Sequence, residues 1–263
     1  VVTVGGPQSN HARVTAGGAR MLGLEPHLLL FGEKPGRSVG TLLIDESLGA
    51  ELHVIPPGPL ASKPCDFEEL DAHVRAEAAT RVGSHYHVPL GGSNGRGALG
   101  YVRAAVELEE QAAAAGIEEA WVVLATGSAG TLAGLVAGLR LIGSALRPLG
   151  IDIGRLFSGY PTLVTRIAAD ACGLLGVDPV VEEAGVPVVE GTYVGDGYAV
   201  PTPAGEAALR RLARTEGILL DPTYTGKAFA GLLDLVSTGR LGPDDPVVFW
   251  HTGGLPGLFS GRH

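Results

Sequence analysis

The sequence predicts an α/β protein built on parallel sheets, and three observations lead there. Apolar runs of strand length alternate with helix-length segments along all 263 residues. Several of these runs are continuously apolar, rich in Val, Ile and Leu, as strands buried on both faces are. Forty-one Gly and 18 Pro with only 5% aromatics supply the many short turns that such alternation needs. Strand-helix alternation of this kind calls for parallel strands joined by crossover helices that cover both sides of a sheet.

Taken in order, Val1–Val4, His27–Phe31, Glu51–Ile55, Tyr86–Pro89, Ala120–Ala125, Val186–Tyr193 and Val247–His251 read as strands. Helices are predicted between them at Asn10–Leu22, Phe67–Val82, Ala98–Ala115, Thr131–Ile142, Thr162–Leu175, Pro203–Thr215 and Lys227–Ser237. No repeat, low-complexity tract or long charge run interrupts the pattern. The stretch Gly91-Gly92-Ser93-Asn94-Gly95-Arg96-Gly97 is the best candidate hinge, dividing a smaller α/β domain (1–92) from a larger one (93–263).

Composition excludes several classes. The net charge is −9 with no run of Lys or Arg, so neither duplex nucleic acid nor an anionic membrane finds an offsetting basic patch. No apolar stretch is long enough to span a bilayer, and no signal peptide is visible. The two cysteines, Cys65 and Cys172, are far apart and in no metal-ligand spacing, which fits a reducing cytoplasm. The eight histidines form no metal site on paper, and His85 and His87 read as a structural or surface pair. HExxH and paired-cysteine patterns are missing, and no Gly-x-Ser-x-Gly stretch reads as a nucleophile elbow. Small-molecule chemistry is the class that remains.

The strongest chemical signal is Ala125-Thr126-Gly127-Ser128-Ala129-Gly130-Thr131, which leaves an apolar strand and enters a helix. Small residues let backbone amides approach an anion, hydroxyls add donors, and the helix start supplies partial positive charge. A phosphate suits that loop, as does an ordinary tight strand-to-helix turn. Gly5-Gly6-Pro7-Gln8-Ser9-Asn10-His11 also follows a strand and opens a helix, so Ser9 or Asn10 is a helix cap, a substrate contact, or both. Tyr198 and Tyr224 sit in Gly-rich loops, where a phenol packs and hydrogen-bonds or moves a proton. His251-Thr252-Gly253-Gly254 follows an apolar strand, either as a pocket mouth or as a plain strand exit.

Together and in this order, five stretches resemble one family. They are Gln8-Ser9-Asn10-His11, Gly91-Gly92-Ser93-Asn94 with Gly97-Ala98-Leu99-Gly100-Tyr101, Thr126–Thr131, Leu220-Asp221-Pro222 with Tyr224-Thr225-Gly226-Lys227, and His251-Thr252-Gly253-Gly254. The resemblance is to the fold-type II pyridoxal-phosphate (PLP) enzymes related to D-cysteine desulfhydrase and 1-aminocyclopropane-1-carboxylate (ACC) deaminase, and it covers nearly the whole chain. It implies two open, mostly parallel twisted sheets with flanking helices, as in the tryptophan synthase β-like fold, and a homodimer. By the same resemblance PLP is the cofactor, its phosphate held by Thr126, Gly127, Ser128, Ala129, Gly130 and Thr131. Asn10 then lies beside the ring and its phenolic oxygen, and Thr252 near the pyridine nitrogen. Ser9, Tyr198 and Tyr224 match active-site groups that meet the substrate, a small amino acid. At Thr225, also near the ring nitrogen, ACC deaminases resemble one another in having Glu, and desulfhydrase-like members have Thr.

Some features depart from the family pattern. Its PLP lysine stands in a Gly-Asn-Lys segment upstream of the Ser-Asn-His stretch, whereas Lys34, Lys63 and Lys227 have other contexts. The chain opens inside a presumed strand without an initiator Met, so a segment carrying that lysine is expected ahead of Val1, and the chain without it is expected to be inactive. Leu258-Phe259-Ser260-Gly261 lacks an aromatic common after the Phe, and Thr41 replaces an Asn. The expected reaction is α,β-elimination of D-cysteine to pyruvate, sulfide and ammonia. The alternatives are ACC deamination, sulfite release from L-cysteate and, in another class, a non-catalytic phosphate- or PLP-binding protein.

Overall fold

A computed structural model describes residues 1–32, 36–189 and 191–260. Strands β1 (Val2–Gly5), β2 (His27–Phe31) and β3 (Glu51–Ile55) form a parallel sheet in the order β1-β2-β3. A second parallel sheet orders β6 (Val188–Val189), β5 (Arg147–Asp152), β4 (Trp121–Thr126) and β7 (Val247–Trp250) as β6-β5-β4-β7. Eight helices flank them among the described residues: α1 (Asn10–Met21), α2 (Thr41–Ser47), α3 (Phe67–Arg81), α4 (Gly95–Ala114), α5 (Gly130–Leu141), α6 (Tyr160–Leu175), α7 (Pro203–Glu216) and α8 (Thr225–Ser237). The expected α/β class with parallel sheets and flanking helices is therefore present. Lys34, Glu190 and Gly261 lie outside the described residues.

The chain divides into two units. The first contains Val1–Gly92, Leu156–Ser158 and the segment from Gly254 onward; the second contains Ser93–Arg155 and Gly159–Gly253. A single boundary at 92/93 thus omits two returns of the chain to the first unit. The short return is held by backbone pairing, with Cys65 N–H on Leu156 O and Ser158 N–H on Cys65 O, both at 2.9 Å. Phe67 and Phe157 meet edge to face beside it.

In the first unit, Ala12 and Ala16 of α1 pack on Leu28 and Leu30 of β2 and on Leu42 of α2. Ser9 starts α1 by accepting the Ala12 N–H at 3.2 Å. Gly5 makes room for it, since a Cβ there would meet Ser9 Cβ at 2.5 Å. Tyr86–Pro89, expected as a strand, is only a bridge: Tyr86 O and the Val88 N–H clasp Val2, and Val88 O then accepts the Thr3 hydroxyl at 2.9 Å.

The second sheet is covered on both faces. Val123, Ala125, Ile151 and Ile153 pack against Ala228, Leu232 and Leu235 of α8. On the other face Gly150 turns toward Leu132 of α5, where a Cβ would stand 2.8 Å from the leucine. Helix α5 is almost wholly buried and packs against α4 through Gly134 and Gly138. Cβ atoms there would lie 2.5 Å from Ala98 O and 2.6 Å from Ala105 Cβ.

Three elements depart from the sequence reading for physical reasons. Strand β5 escapes prediction because Pro148 and Gly150 disguise it. Arg147 N–H pairs toward β4 and Gly150 N–H toward Pro187, so Pro148 faces the side where β6 has not yet begun and forfeits no bond. Helix α2 carries no side-chain cap of its own; Gln8 Oε1 accepts the Thr41 N–H at 2.9 Å from far away in sequence. Of the described residues in Val186–Tyr193 only the two of β6 are strand, and Gly191 turns away at φ +70° and gives its N–H to Asp152.

Helices α1 and α2 bury polar atoms without partners: Arg13 Nε, Thr41 Oγ1 and Asp45 Oδ1. Burial pushes the Asp45 carboxyl up to about 7 against the pull of Arg13. A folded-state value above the unfolded one means that unfolding releases a proton between about pH 4 and 7, so this group costs stability progressively as pH rises through that window. Asp45→Asn is expected to match the parent near pH 4 and to exceed it by roughly 2–4 kcal/mol at pH 8. Denaturant unfolding at the two pH values checks this; an equal difference at both would remove the assignment.

Candidate functional site

Strand β4 runs out at Thr126, and Gly127–Ala129 turn into α5. Ala129, just before the helix, has φ 73° and offers no side-chain cap. The first amides of α5 therefore have no acceptor from the cap residue and have the positive end of the helix behind them, an arrangement that suits an anion. Ser93 braces the turn. Its hydroxyl accepts the Gly130 N–H at 3.3 Å and donates to Ser128 Oγ at 2.8 Å. The relay leaves the Ser128 proton free to point onward, polarised by the two donors behind it. Only a glycine fits at 130, where a Cβ would sit 2.9 Å from Ser93 Oγ.

Thr126 behaves differently from the rest of the loop. Its hydroxyl is buried and pairs with the Tyr160 hydroxyl at 2.6 Å. Of the six loop residues expected to meet a phosphate, Thr126 thus anchors the loop, and the half-buried Gly127, Ser128 and Thr131 are its accessible part.

The two tyrosines do come together. Tyr198 and Tyr224 meet with ring centroids 5.9 Å apart and rings 71° from parallel, joined hydroxyl to hydroxyl. Both pack on the cluster containing Ala125 and Ile153, at the carboxyl ends of β4 and β5 where the anion-ready turn begins. Burial pushes both phenols above their ordinary range. Tyr224 is raised further, because the neighbouring phenol and its hydrogen bond add to burial.

Two buried charges hold this pair in place. Asp221 accepts the N–H groups of Thr223, Tyr224 and Thr225 at 2.8–2.9 Å and so starts α8. Thr225 closes the same knot: its hydroxyl donates to Asp221 Oδ1 at 2.7 Å and accepts the Asp221 N–H at 2.8 Å. The Thr225 proton is therefore committed, so this hydroxyl has none to donate to a ring nitrogen. Lys227, completely buried, donates to Val194 O at 2.8 Å and Gly197 O at 2.9 Å, tethering the loop that carries Tyr198. Burial lowers its ammonium to about 8, although Asp152, Asp221 and Asp196 pull the other way. Thr252 stands exposed beyond β7, in a turn where the Gly253 N–H bonds the His251 ring.

Within the first unit, Ser9 is 5% exposed and uses its oxygen to cap α1, which leaves its proton available to donate. Asn10 Oδ1 is buried without a partner. The neighbouring His11 ring bonds Thr3 Oγ1 at 2.7 Å, and burial lowers it to about 4, so it stays neutral at working pH. Ser93, Tyr160 and the tethering role of Lys227 escaped the sequence reading. Their partners lie 30 or more residues away, and the Gly-Ser-Asn landmark around Ser93 was the one available signal.

The family described as pyridoxal-phosphate dependent enzyme matches residues 1–253, so the chain belongs to that family and PLP is its cofactor. More narrowly, it is 36% identical to D-cysteine desulfhydrase of Klebsiella pneumoniae (strain 342), over 99% of this chain and 77% of that one. It is 38% identical to D-cysteine desulfhydrase of Yersinia enterocolitica (serotype O:8 / biotype 1B, strain NCTC 13174 / 8081), with the same coverage. The crystal structure of an ACC deaminase homologue superposes with a TM-score of 0.82 at 37% identity, covering 98% of this chain and 74% of that one. O-ureido-L-serine synthase, at 16% identity and a TM-score of 0.63 over 98% of this chain and 74% of its own, shares the fold.

Lys227 is the described lysine closest in sequence to the tyrosine pair, yet its amine is spent on two carbonyls. Borohydride reduction of the chain with PLP, followed by peptide mapping, is expected to leave Lys227 unlabelled. A high-yield label there would mean that the tether opens and that the site must be redrawn.

Proposed function

We propose that this chain serves α,β-elimination of D-cysteine, which with one water gives pyruvate, hydrogen sulfide and ammonia. The observation that carries this reading over ACC deamination is the Thr225–Asp221 knot. A carboxylate in place of the Thr225 hydroxyl would favour protonation of a ring nitrogen and so the harder opening of a cyclopropane. Here that position is built for a hydroxyl, and a glutamate in its place would bury a second carboxylate against Asp221. The likeness to D-cysteine desulfhydrases supports the same substrate.

The residues fit the cofactor on two observations: the start of α5, whose own cap residue Ala129 brings no side-chain acceptor, and the buried, unpartnered Oδ1 of Asn10. The amides of Gly127, Ser128, Ala129 and Thr131 and the Ser128 hydroxyl would hold the phosphate, with the Gly130 N–H on Ser93. Asn10 would donate its Nδ2–H to the phenolic oxygen, and Thr225 and Thr252 would stand near the ring nitrogen. When bound, PLP supplies an electron sink for the charge left at the substrate α-carbon. Lys227 is committed to its tether, and by the resemblance the α-proton base would be the lysine that the family carries in its Gly-Asn-Lys segment. Tyr224 protonates the departing sulfur, and the Tyr198 hydroxyl stabilises the phenolate left behind. Ser9 donates to the substrate carboxylate. A homodimer in the cytoplasm is part of the same reading; both cysteines are buried and unbridged, as a reducing compartment allows.

The test is product analysis of the full-length protein with D-cysteine, ACC and L-cysteate supplied separately. Sulfide and pyruvate from D-cysteine are expected; robust ACC turnover with negligible D-cysteine turnover would reverse the assignment, and sulfite as the main product would move it to L-cysteate. Tyr224→Phe is expected to lower kcat on the order of 100-fold, with a smaller change in KM. An unchanged kcat would refute the role given to Tyr224.

A further inference from the structure

We propose that His27, Glu51 and His53 form a binding site for a divalent transition metal of the zinc type, at the amino-terminal edge of the three-stranded sheet. The sequence spacing hides the set, since His27 lies on a different strand from the other two. In the β2–β3 pairing His27 stands opposite Glu51 and Leu29 opposite His53. Alternate residues of a strand share a face, so all three side chains project from one side of the sheet.

Their donor atoms already have the spacing that a tetrahedral ion imposes. His27 Nδ1 lies 3.3 Å from His53 Nε2 and 3.3 Å from Glu51 Oε2, and His53 Nε2 lies 3.5 Å from Glu51 Oε1. Ligands about 2.0–2.1 Å from a tetrahedral zinc stand about 3.3–3.4 Å apart. The two imidazoles are stacked with nitrogen facing nitrogen, 5.5 Å between centroids. All the ligand atoms fall within 4.8 Å of one another. The histidine side chains are 15% and 14% exposed and the glutamate 64%, so the rings are fixed and the carboxylate can swing over the ion while water completes the shell.

The charges nearby are consistent with this. Burial lowers the His53 pKa against the pull of Glu51, favouring the neutral ring that a metal requires. The guanidinium of Arg81, which also acts on His53, is paired with Glu77. Two imidazoles and a carboxylate of intermediate softness suit zinc better than magnesium or calcium. The ion would stitch the exposed edge strand β3 to β2. Ser9 and Asn10 follow the opposite, carboxyl end of this sheet, so the metal would stand apart from the PLP chemistry.

Zinc chloride titration of the PLP-loaded protein by calorimetry, with cobalt(II) as a visible-absorbing substitute, tests the site. One zinc per chain and a tetrahedral cobalt spectrum are expected. His27→Ala, His53→Ala and Glu51→Gln should each weaken binding by about tenfold or more, while the PLP absorption of each variant stays at the parent's value and reports an intact fold. No zinc uptake would overturn the site and leave an ordinary histidine–histidine hydrogen bond. Equal uptake by the parent and His27→Ala/His53→Ala would overturn it too, by putting the ion on the cofactor or elsewhere.

Discussion

The close approach of α4 and α5 is the constraint on which the second unit depends. Gly130, Gly134 and Gly138 recur every four residues, so they line one side of α5. With no side chain on that side, the α4 backbone settles against α5 at Ala98 and Val102. The same contact presses Ser93, just ahead of α4, onto the first turn of α5. From there Ser93 reaches both the Gly130 amide and the Ser128 hydroxyl. Helix packing and anion binding are thus one arrangement, and a bulkier residue anywhere along the stripe would disturb both.

The two units treat their buried charges differently. In the second, Asp152 and Asp221 are saturated by backbone N–H groups, and Lys227 by carbonyls. Charges of that kind stiffen the loops they hold, because releasing one leaves an unpaired ion in a poor solvent. In the first, α1 and α2 leave Asn10, Arg13, Thr41 and Asp45 atoms unsatisfied. Such atoms cost stability, and Asn10 in particular has binding capacity that the protein's own groups do not use.

Much of the fold was legible because it is local. Strands β2 and β3 begin and end where their apolar runs do, and the helices open at residues such as Ser9, Asp66 and Thr202 that cap them within three positions. What stayed hidden depended on distant partners. Strand β5 tolerates Pro148 only because its neighbour is short, and α2 borrows its cap from Gln8. The candidate site divides in the same way. The Gly-Ser-Ala-Gly turn announces itself by small residues before a helix, and the tyrosines stand out in Gly-rich loops. Nothing in the sequence tells that Thr225 spends its proton on Asp221, or that Lys227 is a tether. Those facts follow from tertiary packing.

The tether has an evolutionary corollary. Lys227 grips the Tyr198 loop through the main-chain oxygens of Val194 and Gly197, which every amino acid supplies. Side chains at the neighbouring positions can therefore drift without loosening the anchor. A lineage changing its substrate could redraw the rim around Tyr198 one residue at a time and keep the phenol where it is.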